Sequence, residues 1–245
     1  MTFIVNIGDK PQIFAHAYNL GTQGRTYQIG YEADAIDVTA FVDTARRKII
    51  GNHTVTMRYD GLFDSANSHL FIKDVFQNKR LISVWPSGAT ASATGAAIAT
   101  AFAQQYRPAG AMGEVLSLGF DVVSDAQFDT VYAYDGVIAT STTGQYTSPT
   151  YDLGTLNPSG GMFFVHIIAC SASGGNTRWT LRWQDSTADI SGSFNAVSGI
   201  NAYQATTATS TTQSMTGTTF RYHRFRASLD ADSGNIQFLA GFGIR

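Results

Sequence analysis

The feature that most limits the fold of this chain is a two-residue alternation of apolar and polar side chains. It recurs in "TVTMRY", "EVLSLGFDVV", "RWTLRW" and "IQFLAGFGI". A period of two places each apolar set on one side of a β-sheet. The four apolar sets are Val55, Met57 and Tyr59; Leu116, Leu118, Phe120 and Val122; Trp179, Leu181 and Trp183; and Ile236, Phe238, Ala240, Phe242 and Ile244. The segment "MFFVHIIAC", Met162–Cys170, is apolar on both faces and is typical of a central strand.

Two stretches depart from this alternation. In Ser65–Asn78 the apolar residues at 66, 70, 71, 75 and 76 predict a short helix, capped by Asp64 or Ser65. The low-complexity stretch Ser87–Gln105 predicts a long loop or a hairpin tip. Because Gly, Ser and Thr separate the remaining apolar runs into short segments, we predict an all-β fold with one short helix.

The length of 245 residues allows one large β domain or two small ones. The composition changes near residues 125–136, which predicts a junction, with strands resuming at Met162. We therefore divide the chain into an N-terminal domain, residues 1–130, and a C-terminal domain, residues 131–245.

The charge and cysteine content exclude several classes of protein. Charged residues make up 14% of the chain, against about a quarter in ordinary domains, and the net charge is −2. Tight wrapping of nucleic acid needs clustered Lys and Arg and is not expected. With one cysteine, no intrachain disulfide can form. No run approaches the ~20 apolar residues of a membrane helix and no signal peptide is evident, so we expect a soluble protein with no membrane partner.

The histidines and the cysteine do not predict a metal site. His16, His53, His69, His166 and His223 show no ligand spacing, and no cysteine lies near them. His166, inside an apolar run, is predicted to be a core histidine bonded to a backbone carbonyl. His53 and His223 are predicted to be surface or interface groups. Cys170 is predicted to be an inert thiol. We expect no cofactor and no metal.

No catalytic grouping stands out. The chain has neither a nucleophile elbow nor a phosphate-binding loop motif. "DADSGN", Asp230–Asn235, fits a turn better than an incomplete calcium loop, and Asp185–Thr187 is predicted to be a hairpin turn. The alternating tryptophans are either part of a sandwich core or a solvent-facing sugar platform, of which the core is favoured. The candidate core residues are Trp179, Leu181, Trp183 and Phe238.

Residues 32–64, "EADAIDVTAFVDTARRKIIGNHTVTMRYDGLFD", resemble the N-terminal part of the tail tube proteins of long-tailed bacteriophages. The residues that carry the resemblance are Asp37, Val38, Thr39, Phe41, Arg46, Arg47, Gly51 and Val55–Asp60. The helix, "RLISVWPSG" and "QQYRPAGAMGEVLSLGFDV" follow in the order typical of that family. The resemblance covers about residues 1–130 and implies a tail-tube β-sandwich or barrel domain there.

The second half is similar to the galactose-binding-like, jelly-roll β-sandwiches attached to phage structural proteins. "TSPTYDLG", "WTLRWQDST" and "FRYHRFRASLDADSGN" follow the order of such modules. The resemblance implies that residues 131–245 form an outer decoration domain.

Together the resemblances imply a structural virion protein, not an enzyme, that self-assembles into stacked, hexameric rings. The rings would form a tail tube through which phage DNA passes without specific binding. Implied partners are the tape-measure protein and other tail proteins, and the implied location is the virion tail, after assembly in the host cytoplasm. Candidate interface residues are Asp37, Val38, Thr39, Phe41, Arg46, Arg47, Lys48, Ile49 and Ile50.

Three alternatives remain open at this point. The first is another virion part, such as a capsid decoration, tail terminator or baseplate protein. The second is a carbohydrate-binding module, which the tryptophan strand would serve. The third is an enzyme such as a glycan hydrolase, which is not favoured because no pair of carboxylates stands out.

Overall fold

The structure of the protein is a computed structural model that describes residues 2–3, 12–21, 23–40, 45–66, 68–85, 94–124, 128–140, 145–155, 160–173, 178–215, 217–229 and 233–244. The first nine strands are β1 (Thr2–Phe3), β2 (Gln12–Ala15), β3 (Tyr18–Asn19), β4 (Gly24–Asp37), β5 (Lys48–Leu62), β6 (Arg80–Trp85), β7 (Thr94–Ala109), β8 (Ser117–Ser124) and β9 (Phe128–Thr140). The others are β10 (Gln145–Thr147), β11 (Tyr151–Asp152), β12 (Gly161–Ser173), β13 (Trp179–Ser186), β14 (Asn195–Ala196), β15 (Tyr203–Ala205), β16 (Thr209–Met215), β17 (Tyr222–Leu229) and β18 (Ser233–Ile244). The α-helix of the described residues is α1 (Ser68–Val75). The all-β prediction with one short helix is confirmed.

The chain forms two compact units, each built from separate segments. Unit 1 consists of Met1–Asn6, Gln23–Arg80 and Ile98–Phe128. Unit 2 consists of Ile7–Thr22, Leu81–Ala97 and Asp129–Arg245.

Unit 1 contains an antiparallel sheet in the order β1–β4–β5–β8–β7. One face is apolar, as the alternation predicts, because Val55, Met57 and Tyr59 of β5 are buried beside Leu118, Phe120 and Val122 of β8. The Tyr59 and Phe120 rings stack with their centroids 4.7 Å apart. Leu116 does not join this set, since β8 begins at Ser117 and Leu116 is exposed.

The predicted helix is present, but it is shorter than the predicted segment Ser65–Asn78 and buries a different set of side chains. It covers Ser68–Val75 and buries Ser68, Phe71, Ile72 and Val75, whereas Leu70 and Phe76 are exposed. The Phe71 ring lies 5.7 Å from Phe120, so contact with the sheet decides which side of the helix is buried. Asp64 accepts a bond from the Ala66 amide at 2.8 Å, in the turn that precedes the helix.

Two segments predicted to be irregular form strands instead. Residues 94–105 belong to β7, which pairs with β8 from Ala101↔Ser124 to Ala109↔Ser117, whereas residues 87–93 lie outside the described residues. The predicted junction near 125–136 contains β9, and β10 and β11 also precede Met162. Both segments are held by strand pairing, β7 with β8 and β9 with β18, which their composition does not signal.

Unit 2 contains a sandwich whose two sheets enclose one hydrophobic core. One sheet has the order β9–β18–β12–β16, and the other has the order β10–β17–β13–β14, with β11 on β17 and β15 on β13. The core contains Trp179, Leu181 and Trp183 from β13 and Phe238 from β18. The Phe163 ring of β12 lies 6.0 Å from Trp183 and 5.8 Å from Phe225.

Strand β12 is buried on both faces, as its sequence predicts. Phe163, Val165 and Ile167 contribute to the sandwich core. Met162 and Phe164 point into a second cluster with Phe14, Leu81, Trp85 and Leu239. A truncation at residue 130 would therefore uncover Phe14, Leu81 and Trp85.

His166 has the environment predicted for it. It is fully buried, and its Nδ1 lies 2.8 Å from the carbonyl oxygen of His16, to which it donates. Its Nε2 lies 2.9 Å from Ser83 Oγ, and Ser83 Oγ accepts a bond from Trp85 Nε1. His16 has a φ of 52°, an uncommon left-handed conformation that turns its carbonyl toward this network. The imidazole is therefore a structural group with all its described bonds inside unit 2.

His223 was predicted to be a surface or interface group, and this prediction is wrong. Its ring is fully buried in the sandwich core. It stacks on Phe242 at 4.9 Å and lies 5.3 Å from Trp183. Neither ring nitrogen has a hydrogen-bond partner among the described residues. The two-residue period does signal this burial, because Phe225 and Ala227 lie on the same face of β17 as His223 and are also buried.

We expect the protein to lose stability as the pH falls below about 6.5. Burial lowers the pKa of His166 to about 3 and the pKa of His223 to about 4. The unfolded chain, with ordinary histidine pKa values, binds more protons than the folded chain between these values and pH 6.5. Each histidine therefore costs up to ~1.4 kcal/mol of stability per pH unit on acidification.

Denaturant unfolding between pH 6.5 and 5, where carboxylates stay ionised, measures this dependence. His223→Phe keeps the stacking position and removes one titrating group, so its stability should fall less steeply with acidification than that of the wild type. Equal slopes for the two proteins would contradict the assignment.

Candidate assembly surface

Strand β4 leaves most of one edge unpaired among the described residues. Its 14 residues pair with β5 along one side. On the other side, β1 pairs only with Ile29 and Gly30. A row of unpaired backbone N–H and C=O groups is a template for a further strand. Within the described residues, this row of β4 groups is a position at which a strand from another copy of the chain could pair.

Beyond the sheet, β4 and β5 continue as a two-stranded hairpin, which we call the hairpin arm (residues 34–40 and 45–51). Strand β8 pairs with β5 only from Val55 onward, so no third described strand supports the arm. Within it, Ile36 pairs with Ile49 and Asp37 with Lys48. A two-stranded hairpin is marginally stable alone in water, so contact with a further surface would stabilise the arm.

The arm exposes apolar side chains on one face. Ile36, Val38 and Ile49 have exposed fractions of 49%, 43% and 53%. Ile36 and Val38 share a face by the two-residue period, and Ile49 is directly opposite Ile36. The Ile36 side chain lies over Gly51 of the opposite strand, where a Cβ atom would lie 2.9 Å from Ile36 Cδ1. The result is a continuous apolar surface on a projecting element.

Asp37 and Thr39 hold the end of the arm in shape. The Thr39 amide donates to Asp37 Oδ1 at 2.9 Å, and the Thr39 hydroxyl donates to the same oxygen. The hydroxyl bond lowers the pKa of Asp37. The Arg47 amide donates to Thr39 Oγ1 at 3.0 Å, and the Val38 amide donates to the Arg47 carbonyl at 2.9 Å. Asp37 and Thr39 therefore hold the shape of the arm, and both side chains are exposed.

The remaining interface candidates have varied positions. Arg46, Arg47 and Lys48 are exposed next to Ile49. Phe41 lies outside the described residues, as does the side chain of Ile50. The arm thus joins an apolar face to a run of three basic residues.

The second face of the unit 1 sheet is polar and carries paired charges. Arg107 makes a two-point bond to Asp121 and lies 3.9 Å from Asp60, which in turn lies 3.3 Å from Arg58. The Arg107 bond lowers the pKa of Asp121. A Cβ atom at position 119 would lie 2.5 Å from Asp60 Oδ1, so Gly119 provides the space for these groups.

A cleft of about 280 Å³ opens on this polar face. Its lining includes Gln28, Thr56, Arg58 and Asp121. Sequence reasoning missed the Arg107–Asp121 pair, although the alternation in β8 placed Asp121 on the polar face. Its partner Arg107 follows the stretch Ser87–Gln105, which was predicted to be a loop or a hairpin tip, so no pairing of β7 with β8 was predicted.

The sequence-predicted residues of unit 2 do not form a site. Trp179 and Trp183 are each 1% exposed and do not present a platform to solvent. Asp185, predicted to lie in a turn, is instead buried within β13, where its carboxylate accepts a bond from the Phe220 amide at 3.0 Å. Burial raises the pKa of the Cys170 thiol. Asp230, the start of the candidate calcium loop, lies outside the described residues, and Ser233–Asn235 belong to β18.

The part of the chain that the structure describes has neither a cluster of metal ligands nor a membrane-spanning helix. No group of three or more His, Cys, Asp or Glu there is placed to hold a metal ion. Across the same residues, no helix has the length and hydropathy needed to cross a membrane.

Solved structures of virion proteins are similar to this chain only at a low level. No protein-family model and no curated protein matches it. A chain of the virion of a native gene transfer agent particle has 14% identity and a TM-score of 0.42, over 51% of this chain and 98% of that one. A chain from the tail of an empty gene transfer agent particle, refined with C6 symmetry, has 14% identity and a TM-score of 0.37, over 44% and 81%. The Dit protein of phage SPP1, described as a hub of the adsorption apparatus, has 8% identity and a TM-score of 0.32, over 94% and 98%. Likenesses at this level do not define a family for this chain.

Proposed function

We propose that this protein is a structural component of a phage-type virion tail, and that its copies assemble into rings that stack as a tail tube. The observation that carries the proposal is the β4–β5 hairpin, with its open strand edge and its exposed apolar arm. The resemblance of residues 32–64 to tail tube proteins falls on the same hairpin. No described cluster of side chains offers a competing chemical function.

Ring formation would satisfy the open edge of β4. Pairing of sheet edges around a closed ring removes unpaired strands, as closure does within a barrel. The low content of charged residues, 14%, suits a chain whose surface is largely covered by neighbouring copies. Six subunits per ring and contacts with a tape-measure protein and other tail proteins are further parts of the proposal.

The polar face of the unit 1 sheet is the proposed lining of the channel. Arg58 and Arg107 face the carboxylates of Asp60 and Asp121, so their charges are compensated within the chain. Phosphate binding by a protein depends on uncompensated Lys and Arg. A channel lined in this way would let DNA pass without holding it.

The alternatives differ in how the copies associate. A tail terminator or baseplate protein would form a single closed ring, and a capsid decoration protein would stay discrete. The carbohydrate-binding alternative depended on exposed tryptophans, and the burial of Trp179 and Trp183 removes that basis. An enzyme would need a reactive site, for which the described residues give no support.

Negative-stain electron microscopy of the purified full-length protein tests the proposal. We expect tubes of stacked rings with a central channel, in amounts that rise with protein concentration. Single closed rings would favour a terminator or baseplate role over the tube. A monomer at all concentrations would overturn the proposed function.

A further inference from the structure

Unit 1 has a second exposed apolar surface, the turn between β7 and β8 (residues 110–116), which we call the β7–β8 turn. Met112, Val115 and Leu116 there have exposed fractions of 103%, 69% and 41%. Three such side chains in one short turn are unusual for a surface that faces only water. The sequence "PAGAMGE" predicts a turn here, but the exposure of its apolar side chains was not predicted.

The β7–β8 turn has a fixed shape. The Glu114 amide donates to the Ala111 carbonyl at 3.0 Å, and Ser117 Oγ donates to the Ala109 carbonyl at 2.9 Å. Gly113 has a φ of +88°, which favours glycine, and a Cβ atom at Gly110 would lie 2.9 Å from Leu116 Cδ1. Because the turn is constrained, its apolar side chains form a defined surface.

The β7–β8 turn and the hairpin arm lie at opposite ends of the same strands. Leu62 at the end of β5 pairs with Ser117, and the Phe63 amide donates to the Leu116 carbonyl at 3.0 Å. Ile49 lies at the other end of β5. At ~3.3 Å per residue, the strand between Ile49 and Leu62 is about 40 Å long. The arm of a chain therefore cannot cover the turn of the same chain.

The two surfaces are also complementary in charge. Residues 108–118 contain Glu114 and no Lys or Arg. The arm carries Arg46, Arg47 and Lys48 against Asp34 and Asp37, an excess of one positive charge, and Arg47 lies opposite Val38 of the apolar face. Charge complementarity of this kind steers association and fixes the register of a contact.

We propose that the hairpin arm of one copy docks on the β7–β8 turn of the next copy along the tube. Ile36, Val38 and Ile49 then pack against Met112, Val115 and Leu116, and Glu114 faces the basic run. The inference rests on the proposed function and names the surface that receives the arm. A contact between two different surfaces propagates along one axis when its rotation does not close into a ring, and the length of β5 then limits the repeat to about 40 Å.

Cross-linking between two different chains tests this contact. One chain carries Ile49→Cys and the other carries Val115→Cys, each in a Cys170→Ser background, and only one of them has a size-altering tag. The chains are mixed, assembled, oxidised and separated on a non-reducing gel. A disulfide requires Cα atoms within about 7 Å, so a heterodimer band reports direct contact.

We expect the heterodimer band to be at least ~10-fold stronger than in a matched control, in which Ile190→Cys, also an exposed apolar position, replaces Val115→Cys. Met112→Cys serves as a second probe of the turn. Polymers that form without a cross-link at either position would overturn this contact and leave the proposed function in place. Failure of the wild-type protein to polymerise would overturn both.

Discussion

Replacing Ile36 and Ile49 together by aspartate is expected to abolish polymerisation while the subunit stays folded. Both side chains are about half exposed and lie outside the core, so their loss removes little buried area within the chain. In the assembly each would lose ~1.5–3 kcal/mol of apolar burial, and the new carboxylates would be buried without partners. Together these losses should raise the concentration needed for assembly by at least ~10³-fold.

Sedimentation and electron microscopy measure the assembly, and circular dichroism with thermal unfolding measures the fold. Ile190→Asp is the matched control, since it places the same charge at an exposed apolar position of unit 2 and should leave assembly unchanged. A second double variant, Ile36→Thr with Ile49→Thr, removes apolar surface from the arm but keeps β-branched side chains that favour the strands. It therefore separates loss of the apolar contact from loss of the hairpin itself. Wild-type tubes from the aspartate double variant would show that the arm is not an assembly element.

Truncating Trp183 to alanine is expected to cost ~3–5 kcal/mol of stability. Its ring contacts Phe163, His223 and Phe242 at centroid distances of 6.0, 5.3 and 5.3 Å, in the centre of the unit 2 core. The residue is 1% exposed, so little of the lost packing can be replaced by water. Denaturant unfolding followed by fluorescence and by circular dichroism measures the change.

Trp183→Phe separates the ring from its N–H group. Nε1 of Trp183 has no hydrogen-bond partner among the described residues, so phenylalanine loses volume but no bond. We expect a cost below ~1.5 kcal/mol, well under that of alanine. A phenylalanine variant as unstable as the alanine variant would show that the N–H group has an essential partner. A stable alanine variant would show that the ring is not part of the core.

The interface assignment was only partly accessible from the sequence. Residues 34–50 stood out because they combine charged and apolar side chains. The resemblance to tail tube proteins then implied that this segment is an interface. The sequence did not distinguish Asp37 and Thr39, which hold the arm, from Ile36 and Ile49, which the arm exposes. That distinction depends on the pairing register, since Ile36 opposite Ile49 and Asp37 opposite Lys48 put the two sets on opposite faces.

Errors in the sequence interpretation arose where strand pairing outweighs local composition. Residues 94–105 are rich in Ala and Thr and carry little strand signal, yet β8 provides a partner for β7. His223 shares the buried face of β17 with Phe225, but its polar side chain was taken as a sign of exposure, and the opposing sheet buries it against Phe242. Local propensity is a weak guide in both cases because burial depends on what the rest of the chain places opposite.

By itself, the sequence determined the class of fold and the buried face of its clearest strands. Alternation with a period of two places side chains by covalent geometry alone, which is why Val55, Met57 and Tyr59, and also Trp179, Leu181 and Trp183, are buried as sets. Only the tertiary structure decided which strands are neighbours, and therefore that the described part of β4 has an edge with little pairing, that Arg107 meets Asp121, and that two apolar surfaces lie at opposite ends of one sheet. These features follow from strand pairing and register, which the alternation within a single strand does not specify.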